Sequence, residues 1–295
     1  MKFQRTYSLT TYSDINNPTP DLTIAYPFTI KFSLQNNFCH SANVAHFLIY
    51  NLGEQTRASI YRDLFDLNTD YRYLIFAAGY SSEPNIPIVF QGDIRSAFSY
   101  RQGPDWITEI EAWDGQAAMQ KSQINLTVPS GFNMEDLINQ AAGTMDGITL
   151  GSVGSFETKS SRGRTLSGNT WDLLVRMMAQ YNTQPFINKG VLHVVNQDEY
   201  VADSSALTTI SSDTGLIGTP RRAGALITAT MIFEPRVEPG QKITLVSQEQ
   251  SINTLLGKYA DYKVVDVAHT GTISGSVGGD ALTNVTFLLA NQEAA

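Results

Sequence analysis

The chain has 295 residues, of which 42% are hydrophobic and only 16% are charged. That length allows one large domain or two to three ordinary ones with real cores. Its 28 acidic and 20 basic residues give a net charge of -8, which argues against a sequence-reading nucleic-acid-binding protein, because such a protein needs a basic surface.

The N-terminal segment lacks an apolar core of signal-peptide length, and no run approaches the ~20 apolar residues of a membrane span. We therefore expect the protein to fold in a reducing cytoplasm, with no membrane insertion. The single cysteine, Cys39, excludes an internal disulfide and a cysteine-based metal cluster. We expect it to be a small buried hydrophobic residue.

Residues 1–115 contain a series of strand-forming segments and one helix. The clearest strand covers 22–34, where every second residue is apolar, and Pro27 on the opposite register indicates an edge position or a bulge. Residues 42–52 are apolar on both faces, which predicts a strand covered on both sides. A short helix is predicted at 54–64, and further strands at 72–80, 86–99 and 106–113. This composition predicts a small closed or nearly closed β-barrel.

Residues 116–214 have a different periodicity and predict a small inserted α+β domain. Two helices follow Asn133 and Asn169, each of which precedes an acidic residue by three positions, as in helix N-caps. Apolar residues at helical spacing follow both caps. A hairpin is predicted over 184–195, with its turn at 188–190.

From residue 215 the strand pattern returns and predicts a second β-barrel over 215–295. A Gly- and Pro-containing turn is predicted at 215–220, and a flexible hairpin tip at 271–279. The strands are predicted at 225–233, 241–247, 258–272 and 284–290. The predicted fold class is therefore mainly β, with two barrels flanking an α+β insert.

The candidate chemical groups are few, and we expect no cofactor and no metal. Glu109 and Glu111 share one face of a strand at ~7 Å, near the spacing of glycosidase carboxylates, but their alternation with apolar residues is more typical of a solvent-facing surface. The four histidines have no metal-binding spacing. Arg221, Arg222 and Arg236 flank the strand that opens the second barrel, and we expect at least one to pair with an acidic residue of a neighbouring chain.

An ordered set of short motifs carries a family resemblance. In the first barrel they are Ile49-Tyr-Asn-Leu52, Thr56-Arg-Ala58, Ala78-Gly-Tyr80, Phe90-Gln-Gly-Asp-Ile94 and Asp105-Trp-Ile-Thr-Glu-Ile110. In the second they are Gly215-Leu-Ile-Gly-Thr-Pro220, Phe233-Glu-Pro-Arg-Val-Glu-Pro-Gly240, Gly257-Lys-Tyr259 and Val265-Asp-Val-Ala-His-Thr-Gly271. In this order they resemble baseplate hub proteins of contractile phage tails. Such hubs often have a tryptophan-bearing strand after the last motif, and residues 271–279 contain no tryptophan.

The resemblance implies a structural protein of the virion tail baseplate, assembled in the host cytoplasm. Its barrels would be similar to the tail-tube fold, and three chains would form a pseudo-hexameric ring around a DNA channel. That homotrimer would join the six-fold tail tube, or tube-initiator proteins, to the three-fold central spike and other baseplate proteins. DNA would only pass through, so we expect a neutral or negative channel surface.

Two alternatives stay open at this point. One is a tail-associated cell-wall hydrolase that uses Glu109 and Glu111. The other is a carbohydrate-binding β module.

Overall fold

The structure is a computed structural model, and it describes residues 4–13, 19–39, 41–65, 71–156, 163–201, 209–247, 261–275 and 279–289. The fold is mainly β, as predicted, with two groups of strands and a smaller α+β region between them. The motif at 257–259 and His40 lie outside the described residues.

The first β unit has seven antiparallel strands around one core. In chain order they are β1 (Arg5–Tyr12), β2 (Leu22–Ala25), β3 (Ile30–Asn37), β4 (Val44–Tyr50), β5 (Tyr73–Tyr80), β6 (Ile88–Gln102) and β7 (Asp105–Trp113). Helix α1 (Glu54–Ile60) follows β4. The strands pair in the order β2-β1-β5-β6-β7-β4-β3, and inward residues of all seven contribute to the core.

Two strand predictions in this unit are corrected, and one strand was not predicted. The predicted strand at 22–34 is interrupted, because the chain turns at Pro27 and the Phe28 N–H donates to the carbonyl of Ala25 at 3.3 Å. β4 is buried on one face only, and its outward residues are half-buried or exposed. β1, which we did not predict, pairs along its whole length with β5.

The insert contains five described strands and three α-helices, and its last two strands form a hairpin. Its elements are α2 (Gln116–Lys121), β8 (Gln123–Val128), α3 (Met134–Ala142), β9 (Thr149–Val153), β10 (Arg164–Asn169), α4 (Thr170–Met178), β11 (Thr183–Asn188) and β12 (Val191–Asn196). β8 and β10 form an antiparallel ribbon, and β11, β12 and β9 form a separate sheet. Apolar faces of α3 and α4 pack with these strands in one core.

Both predicted helix caps are confirmed. The Asn133 side chain accepts a hydrogen bond from the N–H of Glu135, and the Asn169 side chain accepts one from the N–H of Asp172. Each bond satisfies an N–H that has no partner within its helix. The hairpin predicted at 184–195 is also confirmed as β11 and β12.

The second β unit contains six described strands around its own core. They are β13 (Thr209–Ile210), β14 (Leu216–Ala223), β15 (Leu226–Ile232), β16 (Lys242–Leu245), β17 (Asp261–Ile273) and β18 (Ala281–Leu289). The turn predicted at 215–220 is wrong, because most of that segment belongs to β14. This strand pairs with β15 on both sides of an irregularity between Ile217 and Arg221.

The two β units are joined into one 13-stranded sheet, although we predicted two separate barrels. β17 pairs antiparallel with β3, from Ile273 opposite Ile30 to Asp266 opposite Asn37. Phe233 of the second unit also packs in the first core, together with residues at the ends of β17 and β18. The domain limits at 115 and 215 stay predictions. β13 precedes the second limit, but it pairs with β16, and its Ile210 packs in the core of the second unit.

Candidate junction and interface sites

The turn between β11 and β12 (residues 188–190, the junction turn) lies where all three parts of the chain meet. From the first β unit, Asp114 accepts hydrogen bonds from the N–H of Lys189 at 2.5 Å and of Gly190 at 3.0 Å. From the second unit, Glu238 forms an ion pair with Lys189 Nζ at 2.6 Å. The junction turn therefore fixes the insert to both β units.

The backbone of the junction turn explains its sequence. Lys189 and Gly190 have positive φ angles of 52° and 71°, as in the tight turns that suit the twist of a hairpin. A Cβ at position 190 would lie 2.7 Å from Gln91 Nε2, which donates to the Lys189 carbonyl. The Asn-Lys-Gly sequence indicates the turn, but nothing in it indicates which residues would hold it.

Two buried carboxylates lie where the first β unit leads into the insert. Asp114 is 2% exposed, and burial raises its pKa to about 7, although the N–H groups of the junction turn act in the opposite direction. Asp93 is 8% exposed, and burial raises its pKa to about 6, while a hydrogen bond from the N–H of Ala117 lowers it. Both groups are deprived of water, so the ionised forms are costly here.

A second contact joins the two β units directly. The Phe233 ring lies 5.6 Å from that of Phe32, and Tyr80 Oη donates to the Phe233 carbonyl at 2.8 Å. Arg236 forms an ion pair with Glu83 of the first unit at 2.6 Å. This contact combines apolar packing with a charge pair between the two β units.

The three arginines proposed for an interface have different surroundings in the structure. Arg236 is engaged within its own chain, by Glu83 at 2.6 Å and Glu234 at 3.8 Å. Arg221 and Arg222 are consecutive exposed residues of β14, and this strand lies at one end of the sheet. Within the described parts of the chain, neither forms an ion pair. Their role between chains stays a prediction.

Glu109 and Glu111 lie on β7, and Glu111 is held by neighbours. Its Oε1 accepts from Trp113 Nε1 at 2.7 Å and pairs with Arg95 at 3.3 Å. The Arg95 guanidinium lies 4.1 Å from the centroid of the Trp113 ring. These contacts favour the solvent-facing interpretation of the two glutamates over a catalytic pair.

The three described histidines and the cysteine show no ligand arrangement. Burial lowers the pKa of His193 to about 4 and that of His269 to about 3, while His46 is exposed. Cys39 is only partly buried, which corrects our expectation, and its Sγ lies 2.8 Å from Ser41 Oγ. Among the described residues, no three His, Cys, Asp or Glu side chains are placed to hold a metal ion.

No helix in the described part of the chain is long and apolar enough to cross a membrane.

Exposed aromatic side chains lie at one end of the first β unit. Phe98 and Tyr100 of β6 are 43% and 37% exposed, with ring centroids 6.0 Å apart. Trp106 is 38% exposed and is stacked by the Arg57 guanidinium at 3.8 Å. We did not single out Phe98 and Tyr100 in the sequence, where their alternation indicates only a strand, and Trp106 enters there only within the motif at 105–110.

Solved structures similar to this chain are tail and secretion proteins. A tail protein from Neisseria meningitidis aligns with a TM-score of 0.60 and 11% identity, over 97% of each chain. A prophage MuSo2 43 kDa tail protein from Shewanella oneidensis aligns with a TM-score of 0.58 and 8% identity, over 97% of this chain and 98% of that one. A type VI secretion component from E. coli aligns with a TM-score of 0.58 and 10% identity, over 90% and 75%. At these identities the likeness establishes the fold alone.

Sequence comparison establishes the family. No curated protein matches the chain. A family model described as baseplate hub gp41 matches residues 13–268. That match covers most of the chain and agrees with the motifs found on both β units, so the chain belongs to the baseplate hub gp41 family and is a structural component of a phage tail baseplate.

Proposed function

We propose that three copies of this chain form a ring in the baseplate hub, with two β units contributed by each copy. Six β units then surround a central axis, and the ring joins a six-fold tail tube to a three-fold central spike. The observation that carries the proposal is the presence of two β units, each with its own core, in a member of a hub family. The role is structural rather than enzymatic.

The surface of the single chain supports association. In the described sheet, β14 and β2 are the end strands of the main path and β13 ends a side branch, and unpaired strand edges tend to be covered in natural proteins. Closed rings cover such edges without producing open filaments. The exposed aromatic side chains of the first β unit add apolar surface of the kind enriched at protein interfaces.

The proposed contact between copies involves Arg221 and Arg222. Both are exposed on an end strand, whereas Arg236 already has two acidic partners in its own chain. An acidic side chain of the neighbouring copy pairs with at least one of the two. If the pair is buried in the ring, loss of one partner costs ~3–5 kcal/mol, against under ~1 kcal/mol for an exposed pair.

The proposed channel carries DNA in transit without holding it. Each lysine or arginine facing the channel would add affinity for phosphate through counterion release. With 28 acidic and 20 basic residues, a neutral or negative axial surface is available, and most basic residues face partner proteins. Those partners are the tail tube or tube-initiator proteins, the central spike and other baseplate proteins, assembled in the host cytoplasm.

Mass photometry tests the assembly, with the protein alone and mixed with the tube and spike proteins encoded beside it. We expect a trimer, weakened when Arg221 and Arg222 are both replaced by alanine. Arg176→Ala is the control, since Arg176 is also exposed and donates from Nε to a carbonyl of its own chain but lies on α4 of the insert, away from the proposed contacts. A monomer that persists at high concentration with both partners would contradict the ring. Tight, salt-sensitive binding of duplex DNA would contradict the channel.

A further inference from the structure

The two β units repeat one arrangement of four strands. In the first unit the order across the sheet is β3-β4-β7-β6, and in the second it is β14-β15-β18-β17. Each group consists of two antiparallel hairpins, β3-β4 and β6-β7 in one and β14-β15 and β17-β18 in the other. Strands at the same place in the two orders are equivalent, so β3 corresponds to β14 and β6 corresponds to β17.

The strand registers extend this equivalence to single residues. A row of directly opposite residues crosses the first group at Leu34, Ala45, Ala112 and Ile94. The matching row crosses the second group at Arg222, Ile227, Phe287 and Val264. In both groups the last ladder shifts its register directly after this row, following Ile94 in β6 and Val264 in β17. Leu34 therefore corresponds to Arg222, and Ile94 corresponds to Val264.

β17 has two neighbours on one side, whereas β6 has only the first of them. β16 pairs with β17 as far as Lys263, and β3 pairs with it from Asp266 to Ile273. On β6, β5 occupies the place of β16 and pairs only as far as Asp93. From Phe98 onward, β7 is the only described strand beside β6, and β15 is the only described strand beside β14. The place that β3 takes on β17 is thus open on β6, and the equivalent of β3 has an open side.

Backbone groups point out of both open sides. The N–H and carbonyl of Ala97 bond to Arg62 on the open side of β6, so those of Ser99, two residues further on, point the same way. On β14, the Arg221 carbonyl accepts from a threonine hydroxyl of β15 at 3.4 Å, so the backbone of Arg222 points to the open side. Such edges are templates for pairing with another chain.

We propose that β6 of one copy pairs antiparallel with β14 of the next copy, as β17 pairs with β3 within each copy. The inference rests on the proposed ring and names the strands that join its copies. Within the chain, His269 lies opposite Leu34. Ser99 follows the register shift of β6 at the same distance as His269 follows that of β17, so Ser99 lies opposite Arg222 of the next copy. The contact is head-to-tail, and three such contacts close a ring.

The side chains at this junction are complementary. The next pair in the register places Tyr100 opposite Arg221 of the next copy, and both side chains lie on the face that points away from the cores. Tyr100 is 37% exposed in the single chain, and Phe98 beside it on that face is 43% exposed. A guanidinium group stacks well on an aromatic ring, as Arg57 does on Trp106 at 3.8 Å. Pairing therefore covers the two exposed rings and gives Arg221 an aromatic partner.

Disulfide cross-linking of the full chain, with the tube and spike proteins present, tests the register. Non-hydrogen-bonded pairs in antiparallel strands have Cα atoms about 4.5 Å apart, which suits a disulfide. We expect Tyr100→Cys combined with Arg221→Cys, in a Cys39→Ser background, to give covalent trimers on oxidation. The control combines Tyr100→Cys with Thr228→Cys, because the exposed Thr228 lies opposite Arg221 on β15, one strand further away. This control should give no cross-link.

Ser99→Pro tests the pairing of the main chains. Proline removes the N–H that points to the next copy and keeps the side of the strand that pairs with β7. Ser99→Ala is the matched control, since both variants lose the hydroxyl that lies 2.9 Å from Thr108 Oγ1. We expect Ser99→Pro to weaken the trimer by about tenfold or more relative to Ser99→Ala, measured by mass photometry.

The outcomes separate this junction from the ring itself. The junction is refuted if a trimer forms but the first cysteine pair does not cross-link it, or if the control pair cross-links it equally. It is also refuted if folded Ser99→Pro forms a trimer as stable as that of Ser99→Ala. If circular dichroism shows that Ser99→Pro does not fold, the cross-links alone decide. Absence of any trimer with both partners present refutes the ring and this junction together.

Discussion

Replacement of Asp114 by asparagine should change how the stability of the protein depends on pH. Asp114 is fully buried, and its oxygens accept the N–H groups of the junction turn. Asparagine keeps one of these acceptors but has no charge. The variant therefore separates the cost of burying the charge from the benefit of the hydrogen bonds.

The magnitude follows from the pKa. In the folded chain the pKa of Asp114 is about 7, against an ordinary value of 3.8. At a pH between these two pKa values, the unfolded chain binds fewer protons than the folded chain. The contribution of Asp114 to the free energy of unfolding therefore falls as the pH rises. Its full penalty above pH 7 is about 4 kcal/mol, of which about 3 kcal/mol develops between pH 5 and pH 8.

Urea unfolding of the wild type and Asp114→Asn at pH 5 and pH 8 measures this difference. At pH 5 the variant should be less stable, because one buried N–H loses its acceptor at a cost of about 1–3 kcal/mol. At pH 8 its stability relative to the wild type should improve by about 3 kcal/mol. Asp213→Asn, on an exposed residue, is the control, and it should change the free energy of unfolding equally little at both pH values. A stability difference between Asp114→Asn and the wild type that stays the same at pH 5 and pH 8 would refute the reasoning.

Urea unfolding also checks three packing and capping predictions. Phe233→Ala should cost about 3–5 kcal/mol, because this ring fills the first core from the second β unit, and a loss below about 1 kcal/mol would contradict that role. Asn133→Ala should cost about 1 kcal/mol, and Asn169→Ala more, because Asn169 also donates to carbonyls of α2 at 2.8 and 3.2 Å; equal losses would be inconsistent with those bonds. Gly92→Ala should prevent normal folding, since its Cβ would lie 2.6 Å from a β7 carbonyl, whereas Gly53→Ala meets nothing within 4 Å and should be tolerated.

Much of the fold was predictable where local chemistry determines it. The Asn133 and Asn169 caps were found because a cap depends on residues within one helical turn. The hairpin turn at 188–190 was found because a tight turn also depends on a few consecutive residues. β1 and β14 were missed because β1 is rich in polar residues and β14 contains turn-forming residues, and their pairing partners determine their structure.

The junction could not be predicted, because it depends on contacts distant in sequence. Asp114 follows a strand and looks like an ordinary loop residue until the fold brings Lys189 and Gly190 to it. Arg236 was expected to pair with a neighbouring chain. It instead forms an ion pair with Glu83 of its own chain, 153 residues earlier in the sequence. Charge alone indicates that a partner is needed and does not indicate which one.

The pairing of β3 with β17 has a consequence for synthesis of the protein. β3 ends at Asn37 and β17 begins at Asp261, so the edge of the first β unit stays unpaired while more than two hundred residues of chain emerge from the ribosome. The first core also lacks Phe233 and the start of β18 until then. Non-local pairing of this kind slows folding and leaves apolar surface exposed on the nascent chain. We therefore expect the first β unit to be completed only near the end of translation, and a chain truncated before β17 to depend on chaperones or aggregate.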